Sequence, residues 1–233
     1  MLTWFDPLYF VFLAPALLLS AWASWQVHHA YAVAREIPPS SGLTGAQAAE
    51  AILARYGMTP VRVEVTEGIL SDHYDPRQKV LRLSPDVDSG RSLAALGIAA
   101  HEAGHALQDA TGYPLLSFRN GIVPLAVWGA NLSWILIVLG FALTSLNLIL
   151  IGIAAFSLSV VFQLVNLPVE FDASRRAREA LRSLGLVTPA EEPVVRRVLS
   201  AAAMTYVAAT LTSVLTLVYY LYRAGVFGSH ERD

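Results

Sequence analysis

Hydrophobic positions run through this chain in long blocks, with polar positions gathered between them. Between Pro7 and Arg35 no residue carries a formal charge, and Leu8 to Val27 matches the ~20 residues an α-helix needs to cross hydrocarbon. The competing reading is a cleaved signal peptide, because Ala21-Trp22-Ala23 resembles a small-residue cleavage site. No Lys or Arg precedes the run, which favours a retained span. Further along, Asn120 to Val169 contains no charged residue. That length accommodates two spans of ~20 residues joined by a tight turn near Thr144 to Asn147. A fourth uncharged block lies between Arg197 and Arg223, with Ala201, Thr205, Ala209 and Ser213 four apart on one face, as in closely packed membrane helices.

The intervening segments have shorter periods. Thr44 followed by Ala46 to Tyr56 predicts a short amphipathic helix with Thr44 as N-cap, closed at Gly57. Val61 to Val65 and Val80 to Leu83 alternate apolar and polar, and Asp75-Pro76 marks a turn, so a β-hairpin or small sheet is expected. Ser92 to Asp109 predicts a helix rich in Ala and Gly, apolar on almost every side and therefore buried among other helices. Pro168 stands just before Glu170, after which a charged helix is expected from Asp172 to Leu184, ended by Gly185. The fold class expected is a mainly α membrane protein with about four transmembrane helices, one helix carrying HExxH, and a small β-hairpin or sheet domain. Its parts are a first transmembrane helix (1–34), a water-facing α+β part (35–120), a transmembrane helical hairpin (121–167), a charged helix (168–199), and a fourth transmembrane helix with a short tail (200–233).

Composition sharpens this picture. The chain is 55% hydrophobic and 15% charged, with a mean hydropathy of +0.51, above what a soluble globule shows. A net charge of −2 gives no basic excess to attract nucleic acid. There is no cysteine, so a disulfide framework and a thiolate metal site are both excluded. Of the 16 Lys and Arg, eight fall in residues 28–120, six in 168–199 and two after residue 222. The positive-inside tendency then places the first two segments in the cytoplasm and both termini outside.

The chemistry centres on His101-Glu102-Ala103-Gly104-His105, an HExxH sequence inside the Ala/Gly-rich helix. Two histidines four apart stand ~40° apart around a helix axis, one turn along, so both imidazoles can reach one zinc ion. Glu102, on the adjoining face, can take a proton from zinc-activated water attacking a peptide carbonyl and pass it to the leaving amine. The bland alternative is a pair of histidines satisfied by internal hydrogen bonds. Against it, leaving such groups unpaired in a packed apolar helix costs ~2–7 kcal/mol each. A catalytic zinc wants a third protein ligand. His28, His29, His73 and His230 remain, but Glu170, a carboxylate at the end of a span, is the best candidate. Its alternative is an interfacial glutamate that is solvated or paired with Arg175. Asp172 points to nearly the opposite helix face and can pair with Arg175 or Arg176.

Three segments carry a family resemblance: His101 to Gly112 (HEAGHALQDATG), Ser71 to Pro76 (SDHYDP) and Leu167 to Ala177 (LPVEFDASRRA). In these, roughly residues 40–222 resemble the YugP-like neutral zinc metallopeptidases of bacterial membranes. The resemblance implies Zn2+ as cofactor, a gluzincin-type peptidase and the bacterial cytoplasmic membrane. In the wider gluzincin group the third-ligand helix reads Glu-x-x-x-Asp, the Asp orienting a zinc-bound His. Glu170 matches, but the fourth following residue is Ser174, whose hydroxyl is the weaker acceptor. Asp109, one turn beyond His105, is a possible substitute.

The expected function is cleavage of unstructured or membrane-associated polypeptide at or near the cytoplasmic membrane surface. A non-catalytic zinc-binding adaptor or quality-control receptor is the alternative, disfavoured because zinc storage needs no base at Glu102. A transporter ranks third, since the spans lack paired charges. The hairpin from Val61 to Leu83 is expected to wall the cleft and bind substrate as an added strand. His73 or Tyr74 would then assist as a donor to the transition state, unless the turn residues only stabilise the turn.

Overall fold

The computed structural model describes residues 6–58, 60–68 and 71–228; His230 lies outside them. Among these described residues, seven α-helices and three strands follow in the order α1 (Pro7–Arg35), α2 (Gly45–Arg55), β1 (Arg62–Val65), β2 (His73–Asp75), β3 (Val80–Leu83), α3 (Pro85–Asp88), α4 (Leu93–Ala110), α5 (Pro114–Ala142), α6 (Leu146–Ser183) and α7 (Glu192–Arg223), with a 3-10 turn at Val226–Gly228. The helices α1, α5, α6 and α7 are each long and apolar enough to cross a membrane. Large apolar side chains stay exposed on them, among them Leu18 at 73%, Trp128 at 75% and Trp134 at 66%. Water would penalise such faces and hydrocarbon would not.

The chain divides into two compact units. One comprises Met1–Trp22, Phe118–Leu167 and Thr205–Asp233. Here α5 and α6 form an antiparallel pair whose turn is closed at Thr144, a non-glycine residue at φ 52°. Glycines allow the close approach: a Cβ at Gly129 would lie 2.6 Å from the Ala155 carbonyl oxygen, and one at Gly152 would lie 2.7 Å from Ile137 Cγ1. Any larger residue would force the helices apart.

The other unit comprises Ala23–Ser117 and Pro168–Met204. Thr44 and Gln47 form a reciprocal capping box that starts α2, whose Ala48, Ala49, Ile52 and Leu53 are buried. The sheet order is β1-β3-β2, with β1 parallel and β2 antiparallel to β3. Of the two expected forms, a β-hairpin or a small sheet, the structure has the small sheet. Val61–Val65 and Val80–Leu83 do neighbour each other, but in parallel, and the hairpin is made by β2 with β3. The three residues of β2 are too few to show alternation, and parallel pairing gives no local turn signal. Only β3 is central, and its Val80, Leu81 and Leu83 are fully buried.

Against this layer packs α4, started by the Ser92 hydroxyl, which accepts from Ala95 N–H. Leu93, Leu96, Ala99, Ala100 and Ala103 enter the same core as Ala177, Leu181 and Val195. Gly104 brings α4 onto the Pro168–Ser183 part of α6, because a Cβ there would sit 2.5 Å from the Ala173 carbonyl oxygen. The charged helical segment expected from Asp172 to Leu184 is the last part of α6, which runs through Pro168 to Ser183.

Candidate metal centre

Helix α4 presents His101 and His105 one turn apart, their ring centroids 4.8 Å from each other and nearly perpendicular at 83°. Because Gly104 admits α6 so closely, Glu170 reaches both rings. Its Oε2 lies 3.3 Å from His101 Nε2 and 3.6 Å from His105 Nε2. One ligand atom from each residue lies within 4.8 Å of the other two. Glu170 is only 3% exposed, yet among the described residues Oε2 has no hydrogen-bond partner. Both imidazoles face it, but neither approach has hydrogen-bond geometry.

These features fit a metal ion. Bonds of about 2.0–2.1 Å to a tetrahedral zinc place its ligand atoms about 3.3–3.4 Å apart, close to the two separations observed. The electrostatics agree. Burial opposes a charged carboxylate at Glu170, but His101 and His105 overcome it and hold its pKa below the ordinary range. Burial likewise opposes charge on His105, whereas Glu170 and Glu102 raise its pKa above the usual value. A buried carboxylate held charged beside two imidazoles suits a divalent cation between them.

Glu102 is 9% exposed, and among the described residues no hydrogen bond engages its carboxylate. The Nδ1 atoms on the far sides of the two imidazoles have different partners. Ser174 Oγ lies 3.1 Å from His101 Nδ1, and Gln108 Oε1 lies 3.0 Å from His105 Nδ1. Asp109 turns elsewhere: it accepts from Tyr74 Oη at 2.7 Å and from Lys79 Nζ. Burial, followed by this bond to Asp109, raises the Tyr74 pKa above its ordinary value. His73 is exposed in β2, with Nδ1 2.7 Å from the Ser71 carbonyl oxygen. Among the described residues neither His73 nor Tyr74 bonds to His101, His105 or Glu170. Asp72 and Asp75 brace the same region, Asp72 accepting from Ser84 N–H at 2.8 Å and Asp75 from Arg77 N–H at 2.9 Å.

Sequence reasoning missed Gln108. A glutamine inside an Ala/Gly-rich helix was the available signal, since a buried amide must find partners for both of its ends. Asp172 pairs with Arg175 and with Arg176 Nε at 2.6 Å, and it also accepts from Gln108.

Comparison with known proteins adds an independent line. Residues 9–225 match the family described as "Putative neutral zinc metallopeptidase". The chain is 45% identical over 213 residues to the "Putative membrane protease YugP" of Bacillus subtilis (strain 168), covering 91% of this chain and 95% of that protein. No solved structure matches it.

Proposed function

The chain belongs to that metallopeptidase family, and on this premise we propose that it is a membrane-integrated endopeptidase in which His101, His105 and Glu170 hold catalytic zinc. The observation that carries the reading is the buried Glu170 Oε2, facing two imidazole nitrogens with no hydrogen bond of its own. When bound, zinc would act as a Lewis acid, polarising the peptide carbonyl and making water acidic enough to attack near neutral pH.

The chain's own residues do the rest. Glu102 Oε accepts the proton that the attacking water gives up, and the same oxygen returns it to the amine nitrogen as the peptide bond breaks. Its lack of a competing hydrogen bond supports that role over simple metal storage. Ser174 and Gln108 accept the Nδ1 hydrogens of His101 and His105, which leaves the Nε2 lone pairs turned toward Glu170.

The substrate class is unstructured or membrane-associated polypeptide. An extended segment satisfies its backbone by adding to a free sheet edge, and β2 is an edge strand tied to α4 by the Tyr74–Asp109 bond. The four long helices span a bacterial cytoplasmic membrane, with residues 28–120 and 168–199 on the cytoplasmic side.

Zinc content and peptide cleavage, measured on purified wild type and Glu102→Gln, test the reading. Both should hold one zinc, and the variant should lose about 10²–10⁴-fold in kcat. Full activity in metal-replete Glu102→Gln would remove Glu102 from the mechanism. Zinc-loaded wild type without peptidase activity would favour the adaptor.

A further inference from the structure

Resting on the reading that His101, His105 and Glu170 hold zinc, we propose that Gln108 is a positioning residue. It fixes His105 as a ligand and ties it to the segment that carries Glu170. Gln108 is fully buried, and its amide is engaged at both ends. The nitrogen donates to the Val169 carbonyl at 2.8 Å and to Asp172 Oδ2 at 3.1 Å, while the oxygen faces His105 Nδ1 at 3.0 Å. A carbonyl and an ionised carboxylate only accept, so the nitrogen end must face them. The oxygen is thereby turned to His105, which places the imidazole hydrogen on Nδ1. The lone pair is left on Nε2, the atom 3.6 Å from Glu170 Oε2.

The other end of the same amide sets the second half of the geometry. Val169 immediately precedes Glu170, so holding its carbonyl holds the backbone from which the third ligand projects. Asp172 is kept in place by Arg175 and Arg176. One side chain therefore couples ligands on two helices, and Gly104 makes the reach possible by keeping α4 against Ala173. No other residue type of this size matches. Leucine has no polar atom, and glutamate would accept from His105 but set a second carboxylate against Asp172 and the Val169 carbonyl.

That asymmetry separates positioning from packing. Zinc affinity is measured by chelator competition on the full chain in detergent for wild type, Gln108→Leu, Gln108→Glu and His105→Ala, beside the thermal midpoint of each metal-free protein. Gln108→Leu should weaken zinc about 10–100-fold, the range typical for lost partners of metal-ligating histidines. Gln108→Glu should keep most of the affinity, because an oxygen still faces Nδ1, while its metal-free midpoint falls. With cobalt in place of zinc, Gln108→Glu should also shift the visible spectrum, a readout that does not depend on Gln108→Leu folding. If both variants lower only the midpoint, and affinity and cobalt spectrum match wild type, the positioning role is overturned. If wild type binds zinc no better than His105→Ala, the underlying metal assignment fails as well.

Discussion

Ser174 Oγ lies 3.1 Å from His101 Nδ1, four residues after Glu170 on the same helix. In the gluzincin pattern that position holds an aspartate, which would push electron density onto the imidazole. A neutral hydroxyl does so less. Ser174→Asp is therefore expected to tighten zinc binding about 10-fold, and Ser174→Ala to weaken it by a similar factor. Chelator competition at neutral pH reads both. Equal affinities across the three proteins would mean that the Ser174 contact does not act on the metal.

Glu170→Ala should lose zinc as fully as His101→Ala, because it removes the only carboxylate in the three-residue group. Asp172→Ala should retain most of its zinc and lose thermal stability instead. Its partners Arg175 and Arg176 lose an ion pair, and Gln108 keeps the Val169 carbonyl. Metal analysis of purified proteins decides, and normal zinc in Glu170→Ala together with loss in Asp172→Ala would reverse the assignment.

The parts of the fold and of the candidate site that were legible in the sequence rest on local rules. Ser92 and Thr44 cap their helices from within a few residues, and Gly57 and Gly185 take the positive φ that ends one. Glu170 stood out because a carboxylate closing an apolar run is costly when idle. What was not legible depends on partners distant in sequence. The amide of Gln108 meets a carbonyl 61 residues away. The strand β2 exists because β3 offers it an edge, not because three residues carry a pattern of their own. Pro168 removes one N–H from α6, yet the helix runs through it, since the packing of Val169, Ala173 and Ala177, all fully buried, outweighs that loss.

Glu191 gives the unit of Ala23–Ser117 and Pro168–Met204 a pH-dependent tie. Its Oε1 accepts from Ser40 N–H and hydroxyl, both at 2.7 Å, and Oε2 accepts from Thr188 N–H at 2.7 Å and hydroxyl at 2.9 Å. Burial pushes its pKa up, but the bonds from Thr188 and Ser40 prevail and bring it down to about 2 from 4.5. A folded pKa below the unfolded one means this stabilisation is complete above the unfolded value and fades as pH falls toward the folded one. Glu191→Gln should therefore lower the thermal midpoint at neutral pH. The gap to wild type should narrow as pH drops from about 4.5 to about 2. A gap constant over that window would show that ionisation of Glu191 is not what holds Ser40.

The topology can be read with single cysteines, since the native chain has none. Ser89 and Ser183 are exposed in the unit that carries the candidate site, and Thr144 is exposed at the α5–α6 turn. With residues 28–120 and 168–199 in the cytoplasm, an impermeant thiol reagent applied to intact cells should label Thr144→Cys and spare Ser89→Cys and Ser183→Cys. The opposite pattern would invert the protein in the membrane and move the candidate site outside.

The developing oxyanion needs a donor besides the metal, and the Ser71–Pro76 turn offers two residues. Tyr74 keeps a hydrogen to give, since burial, then Asp109, raises its pKa still further above neutral. Its one hydrogen is given to Asp109, so it can serve a substrate only by letting go. Asp109 tolerates that exchange, since Lys79 also donates to it and no carboxylate is left unpaired. His73 is already exposed, but with Nδ1 against the Ser71 carbonyl it donates from Nε2 only when protonated. Tyr74→Phe is thus expected to lower kcat about 10²-fold with KM little changed, the behaviour of a group that acts only in the transition state. His73→Ala should likewise lower kcat with KM little changed if Nε2 is the donor. Both are measured on one peptide after zinc content and thermal midpoint are shown to be normal. If both variants turn over at the wild-type rate, the turn is scaffold held by Asp72 and Asp75, and the oxyanion has no partner from this strand.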